Sequence, residues 1–249
     1  METLKKLRIL NANALKFLAA ALMVIDHVGL LFFPQTTWFR MVGRLSMPLF
    51  AFAVSEGCRY TKNKTKHFLL ISVLALICQT VYYFFDNGNL YMCILVTFSL
   101  SILTIYAMQN FKLRLFDGSK LPAQILAALL FLGAVAGTYI ACYFLTIDYG
   151  FWGCMTPVFA SLFDFRQIPA PASLQKLDCL PLRTLCLGIG LLCLAISQLP
   201  FTLPFYALGA LALLLLYNGE KGKLPTKYFF YLFYPLHLVL LEGIYLFLS

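Results

Sequence analysis

Two titratable residues stand side by side within the first apolar stretch of the chain, which runs from Ala14 to Phe33. They are Asp26 and His27. An ionisable side chain inside a membrane span is costly and is by default a hypothesis for a functional site. There the imidazole could take up a proton near neutral pH, and the carboxylate could orient the imidazole or neutralise a nearby cation. This interpretation holds only if the stretch crosses a membrane.

The composition predicts an all-α, polytopic membrane protein with a single domain over residues 1–249. The chain is 61% hydrophobic and 12% charged, with a mean hydropathy of +0.84, whereas soluble domains are about 45–50% apolar and about 25% charged. Its basic residues lie in short loops between apolar runs, so the lipid bilayer is the expected partner and nucleic acid is not. Eight cysteines without Cys-x-x-Cys spacing are expected to be reduced packing residues, and no metal site is predicted.

Apolar runs that could cross about 30 Å of hydrocarbon occur about nine times. They cover residues 14–33, 41–58, 67–85, 90–108, 122–145, 151–163, 181–198, 203–217 and 229–248. The sixth and eighth runs are short and could instead be half-helices buried in protein. With the amino terminus in the cytoplasm, every Lys and Arg except Arg40 and Arg44 falls on the inner side, as the positive-inside rule requires. The carboxyl terminus is then extracytoplasmic, and the first run is a retained span because no cleavage site follows it.

Helix geometry predicts a layer of polar groups towards the outer side of the membrane. At 1.5 Å per residue, His27 lies about 20 Å above the inner end of its span, and Arg44 and Glu242 lie at a similar depth. By the same count His237 lies lower, about 12 Å up the last span. Adjacent side chains on a helix diverge by about 100°, so Asp26 could orient His27 or could instead neutralise Arg44. A buried polar clamp between the first two spans is the structural alternative.

Several motifs follow one another in a fixed order along the chain. They are Lys16 with Met23-Val24-Ile25-Asp26-His27, Gly43-Arg44-Leu45-Ser46-Met47-Pro48-Leu49-Phe50-Ala51-Phe52, Glu56-Gly57, Tyr60-Thr61, Asp148-Tyr149-Gly150 with Gly153, Tyr217-Asn218-Gly219, and Phe233-Tyr234-Pro235-Leu236-His237-Leu238. This order and spacing, from Asn13 to Tyr245, resemble the TraX family of conjugal-transfer pilin acetylases. That family looks like a branch of the transmembrane acyltransferases, which pass an acetyl group from cytoplasmic acetyl-CoA to an acceptor across the membrane.

The resemblance implies a role for each matching residue. His27 would be the catalytic base, and acyl transfer also needs a donor to the developing oxyanion, which Arg44 could supply while Asp26 positions either group. Phosphates of acetyl-CoA would meet the inner face, for which the candidates are Lys16, Arg59, Lys62, Lys64, Glu56 and Tyr60, followed by Lys221 and Lys223. The candidates for binding the acceptor are Tyr149, Asp148, Glu242, His237 and Tyr234.

The resemblance also implies a multi-pass protein of the bacterial cytoplasmic membrane. Its acceptor would be an amine or hydroxyl of a peptide such as a pilin amino terminus, of a glycan or of a lipid. A proton-coupled transporter is an alternative, since Asp, Glu and His at several depths suit a proton relay, although no internal repeat of the kind many carriers show is visible. A non-catalytic component of an envelope or secretion assembly is a third interpretation. Gly133 and Gly137 form a GxxxG pair that predicts close helix packing, within or between chains.

Overall fold

The chain forms a helical bundle in the computed structural model, which describes residues 8–85, 91–223 and 227–248. The elements, in chain order, are α1 (Ala12–Phe32), α2 (Thr37–Gly43), α3 (Ser46–Tyr60), α4 (Lys64–Phe85), α5 (Ile94–Phe116), α6 (Leu121–Phe144), α7 (Gly150–Ala160), α8 (Ala172–Gln175), α9 (Leu180–Ser197), a 3-10 helix (Leu203–Gly209), α10 (Ala210–Leu215) and α11 (Lys227–Leu248). Within these ranges no strand occurs, which confirms the all-α prediction. Lys5 and Lys6, counted among the inner charges, lie outside the described residues.

Six of the described helices are long and apolar enough to cross a membrane. They are α1, α4, α5, α6, α9 and α11, and they identify the chain as a membrane protein. The other three predicted runs give shorter helices: α2 and α3 divide the second, α7 is 11 residues long, and the 3-10 helix with α10 forms the eighth. Because a full crossing takes about 20 residues, the nine-span count and the orientation of the termini stay predictions.

The short helix α7 lies inside the bundle, where it packs against α9, α5 and α3. Most of its residues, from Gly153 to Val158, are buried. Ser101 Oγ of α5 donates to the Cys154 carbonyl at 2.7 Å, and the hydroxyls of Ser55 and Ser161 lie 2.8 Å apart. A helix too short to cross the bilayer is therefore covered by protein and tied to its neighbours by buried hydroxyl groups, as half-helices at membrane depth require.

Helix α6 lies at the periphery and presents apolar side chains outward. Only Ala127 and Thr138 of this helix are buried. A methyl group built at Gly133 or Gly137 would meet no atom within 4 Å. The GxxxG pair therefore makes no close contact within the described part of the chain, and a role between chains stays a prediction.

Ion pairs and charged hydrogen bonds join the helices at one end of the bundle. This end, which contains Arg59 and Lys112, is the basic end. Arg59 of α3 contacts two carboxylates of the segment between α7 and α9, Asp164 and Asp178. Lys112 of α5 donates to the carbonyl oxygens of Ser161 and Leu162, at 2.9 and 2.7 Å. Those carbonyls follow the last turn of α7, where helix carbonyls lack partners and a cation is favourable.

A second buried pair lies at the same end, between α3 and α9. The Nη1 atom of Arg183 lies 2.6 Å from Oε1 of Glu56, and both side chains are at most 9% exposed. Tyr217 donates its hydroxyl to the other oxygen of Glu56 at 2.8 Å, and Arg183 also donates to Ser55 Oγ at 3.2 Å. These contacts tie α3 and α9 to the end of α10.

Candidate active site

Two histidines from α1 and α11 meet inside the bundle. His27 Nδ1 lies 2.8 Å from the Met23 carbonyl oxygen, and His237 Nδ1 lies 3.0 Å from that of Phe233. A carbonyl oxygen only accepts hydrogen bonds, so each Nδ1 carries the proton of the neutral ring. In the neutral form of each ring the lone pair is therefore on Nε2, the atom that could act as a general base. The ring centroids are 5.2 Å apart and the ring planes nearly perpendicular.

The contact between the rings corrects the predicted depth of His237. The sequence count started both helices at one level and placed His237 well below His27. Instead Phe17 of α1 packs on Phe229 and Phe230 of α11, with centroids about 5 Å apart. Helix α11 thus begins beside the second turn of α1, which brings His237 level with His27.

Asp26 pairs with Arg40, an arginine that the sequence analysis left without a role. The Nη1 atom of Arg40 lies 2.7 Å from Asp26 Oδ2 and also donates to the Asp26 carbonyl oxygen at 3.3 Å. The ion pair of Asp26 is therefore with Arg40, a partner that was not predicted, while Asp26 still stabilises the charge of Arg44 through space. The chain reverses after α1, so that the short helix α2 packs against α1 and places Arg40 beside this carboxylate. Sequence spacing alone does not predict this reversal.

Arg44 follows α2 and points towards the loop before α7. Its Nη1 atom donates to the Tyr149 hydroxyl at 3.4 Å, and its guanidinium lies 6.0 Å from the centre of that ring. Its Nε–H group is buried without a hydrogen-bond partner, and so is Oδ1 of Asp26, among the described residues. A buried donor and a buried acceptor left unpaired are costly, and they are the groups that a bound substrate could satisfy.

The loop that carries Tyr149 is fixed by hydrogen bonds. Tyr91 donates its hydroxyl to Asp148 Oδ1 at 2.7 Å, and Thr97 donates to the Asp148 carbonyl at 2.7 Å. Tyr149 has a left-handed backbone with a φ of 61°, a conformation that costs about 1–3 kcal/mol and is common at functional sites. Burial raises the pKa of Asp148 to about 6, although the Tyr91 hydrogen bond and Arg44 oppose this. The carboxyl therefore titrates just below neutral pH.

Gly43 allows α2 to approach α1 at Asp26, and we predict that Gly43→Ala lowers the stability of the protein. A methyl group at Gly43 would overlap the side chain and Cα atom of Asp26. Overpacking of this kind typically costs about 1–3 kcal/mol, and it would displace Arg40 and Arg44 together. Thermal unfolding in detergent measures the loss. Gly133→Ala is the matched control, because that position is open, and equal effects of the two substitutions would refute the close approach.

An apolar cavity of about 170 Å³ lies between α1, α3, α4, α5 and α11. Lys16, Gly57 and His67 line it towards the basic end. At its other end it is lined by Met23 and Phe233, whose carbonyls hold the two histidines. The cavity thus runs along the bundle axis from a lysine to the base of the histidine pair.

Comparison with known proteins identifies the family of this chain. A family model described as "TraX protein" matches residues 11–245. The chain belongs to the TraX family. It is 27% identical over 268 residues to the "Probable fimbrial assembly protein FimC, serogroup H1" of Dichelobacter nodosus, covering 96% of this chain and 97% of that one. It is also 33% identical over 98 residues to the "Uncharacterized protein RP591" of Rickettsia prowazekii (strain Madrid E), covering 39% and 38% of the two chains. No solved structure matches.

Two further residues predicted for the acceptor site of this TraX protein lie on α11. Tyr234 is buried, lines the cavity and contacts the His237 ring with centroids 5.4 Å apart. Glu242 is half-buried and lies about 140° around the helix from His237 by the helical repeat. Tyr234 therefore adjoins the histidine pair, whereas Glu242 is placed on another side of α11.

The residues predicted to bind acetyl-CoA fall into three groups: those in ion pairs, one that lines the cavity, and those outside the cavity. The charges of Arg59 and Glu56 are neutralised in the ion pairs described above. Arg59 therefore has no free charge with which to bind a phosphate. Lys16 lines the cavity. The remaining candidates lie outside it: Lys64 lies over the Tyr106 ring, Tyr60 lies beside the guanidinium of Arg166, and Lys62 is exposed. Lys16 is thus the best placed of the predicted cations in this TraX chain.

Sequence reasoning missed several residues that shape the site. They are Arg40, Tyr82, Tyr91, His67 and the acidic partners Asp164 and Asp178. Tyr82 interacts with Tyr234 through a hydrogen bond, and His67 Nδ1 lies 2.7 Å from the Tyr106 hydroxyl. Arg40 carried a usable signal, because it was one of two basic residues on the predicted outer side.

Proposed function

We propose that this TraX protein is a membrane acetyltransferase. It would take an acetyl group from cytoplasmic acetyl-CoA and pass it to an amine or hydroxyl at the outer side of the bacterial cytoplasmic membrane. The observation that supports this most is the apolar cavity between Lys16 and the histidine pair. A narrow apolar passage suits the uncharged arm that carries a thioester, while a cation at its entrance suits phosphates.

The role proposed for each residue follows from the atom that it can offer to the substrates. His27 Nε2 takes the proton of the acceptor, whose nitrogen or oxygen attacks the thioester carbonyl. The unpaired Nε–H of Arg44 donates to the oxygen that becomes negative. The carbon–sulfur bond then breaks and CoA leaves as a thiolate. Arg40 holds Asp26, whose carboxylate stabilises the charge of Arg44 through space.

The acceptor is an envelope molecule in this proposal. The relative from Dichelobacter nodosus carries a name that refers to fimbrial assembly, so a fimbrial or pilus subunit is the first peptide to test. The fixed Asp148–Tyr149 loop beside Arg44 would form the acceptor's side of the site, opposite the basic end.

We predict that His27→Ala lowers acetyl transfer by about 10²–10⁴-fold, the usual contribution of a general base. Purified protein in detergent is given acetyl-CoA labelled in its acetyl group, and label release to water or to a small amine is followed. Arg114→Ala is the control, since Arg114 lies at the surface, where it contacts Asp117 and Ser119. Undiminished turnover in the His27 variant would show that this histidine is not the base.

A transporter would behave differently in the same preparation. Reconstituted vesicles would take up a solute in response to a pH gradient, and acetyl-CoA would neither bind nor turn over. That outcome would overturn the proposed function as a whole.

A further inference from the structure

We infer that His237 is a second catalytic residue, which returns the acceptor's proton to the leaving thiolate. This inference rests on the proposed acetyl transfer and divides its acid–base work between two rings. His27 acts on the acceptor and His237 acts on the donor.

The first support is the unused nitrogen of His237. The residue is 7% exposed, and its Nε2 atom is buried without a hydrogen-bond partner among the described residues. Its Nδ1–H group is already fixed by the Phe233 carbonyl. An apolar side chain would fill this interior position without leaving a polar atom unpaired. A buried lone pair held in one direction therefore indicates a ligand group that brings a proton or a donor to it.

The second support is the rigid setting of the His237 ring. Phe233 stacks on it with centroids 5.0 Å apart and an interplanar angle of 8°, and Tyr234 meets it at 67°. The ring is therefore clamped between aromatic neighbours and the backbone hydrogen bond. Such fixation keeps Nε2 aimed at one place, as proton transfer requires.

The third support is the position of the two histidines relative to the cavity. Phe233 and Tyr234, which clamp His237, both line the cavity that we assign to the acyl donor. His27 is half-buried and follows Asp26, whose carboxylate is held by Arg40. Met23, whose carbonyl holds His27, also lines the cavity, but both aromatic rings packed on His237 do so. We therefore assign His237 to the donor side of the pair and His27 to the acceptor side.

The proton balance of the reaction is then complete without an outside acid. Attack by the acceptor forms its bond to the acetyl carbon and gives its proton to His27 Nε2. The carbon–sulfur bond breaks and leaves the electron pair on sulfur. The proton passes from His27 to Nε2 of His237, and from there to the thiolate. Both rings end neutral, and CoA leaves as the thiol.

The acidity of the leaving thiol tests this role. Release of thiol is measured with water as the acceptor and with two donors, acetyl-CoA and the acetyl thioester of 4-nitrothiophenol, whose thiolate leaves readily without a proton. We expect His237→Ala to lower kcat by about 10²-fold with acetyl-CoA and by far less with the aryl thioester. His27→Ala should lower kcat with both donors alike. His237→Gln, which keeps a side chain of similar volume, should behave as His237→Ala does.

Three outcomes separate the possibilities. Equal losses with both donors in the His237 variants would mean that the ring only maintains packing, and would overturn the inference while leaving the acetyltransferase intact. Inactive wild-type protein with both donors would instead overturn the proposed function. If neither His237 variant folds, a series of thioesters on the wild-type protein decides: the intact ring predicts a weak dependence of kcat on thiol acidity, and a steep dependence contradicts it.

Discussion

A chain in which methionine replaces Arg183 is expected to unfold with a free energy about 3–5 kcal/mol below that of the wild type. The reason is that the Glu56 carboxylate would stay buried without its cationic partner. Glu56 is 9% exposed at its side chain and lies 2.6 Å from Arg183. Removal of the arginine leaves a buried charge whose hydrogen bond, among the described residues, comes from the Tyr217 hydroxyl. Removal of one partner from a buried pair is far more costly than replacement of both by apolar groups.

The double variant supplies the decisive comparison. Glu56→Met combined with Arg183→Met removes both charges and keeps much of the volume, so it should recover most of the stability lost in either single variant. Reversible unfolding in mixed micelles gives the three free energies. A double variant as unstable as the sum of the two single ones would mean that the residues contribute separately and that the pair is not the reason for the loss.

The ion pairs at the basic end also show which features could not be predicted from the sequence. Apolar composition and apolar runs correctly predicted an all-helical membrane chain, because helices satisfy the backbone polar groups that lipid cannot. Glu56 and Arg59 were recognised as candidates at the inner face, but their partners Arg183, Asp164 and Asp178 lie more than 100 positions later. Only the packing of α7 and α9 against α3 brings these charges together, and that packing depends on surfaces rather than on spacing.

The candidate site repeats this pattern at the other end of the bundle. His27 and Arg44 stood out because charged residues in apolar runs are rare, and they are the centre of the proposed site. Their neighbours could not be deduced, since Arg40 reaches Asp26 through the reversal at α2, and His237 reaches His27 through the offset between two distant helices. Residue types thus suggested which side chains to examine, while their partners required the tertiary structure.

Replacement of Arg44 by methionine is expected to lower kcat for acetyl transfer by about 10²–10³-fold, the usual effect of removing one donor to an oxyanion. The Nε–H group of Arg44 is buried and unpaired in the free protein, so it is ready to bind the oxygen of the transition state without first breaking a bond. Because the negative charge develops only as the acceptor attacks, KM should change much less than kcat.

Two further variants identify which part of Arg44 acts. Arg44→Lys keeps a positive charge but has no Nε–H group and no planar fork, so it should recover only a small part of the lost rate. Tyr149→Phe removes the hydroxyl that accepts from Nη1 at 3.4 Å and leaves the Nε–H group in place, so its loss should be smaller than that of Arg44→Met. If Arg44→Met raises KM and leaves kcat unchanged, the guanidinium binds the ground state, and the oxyanion must find another donor.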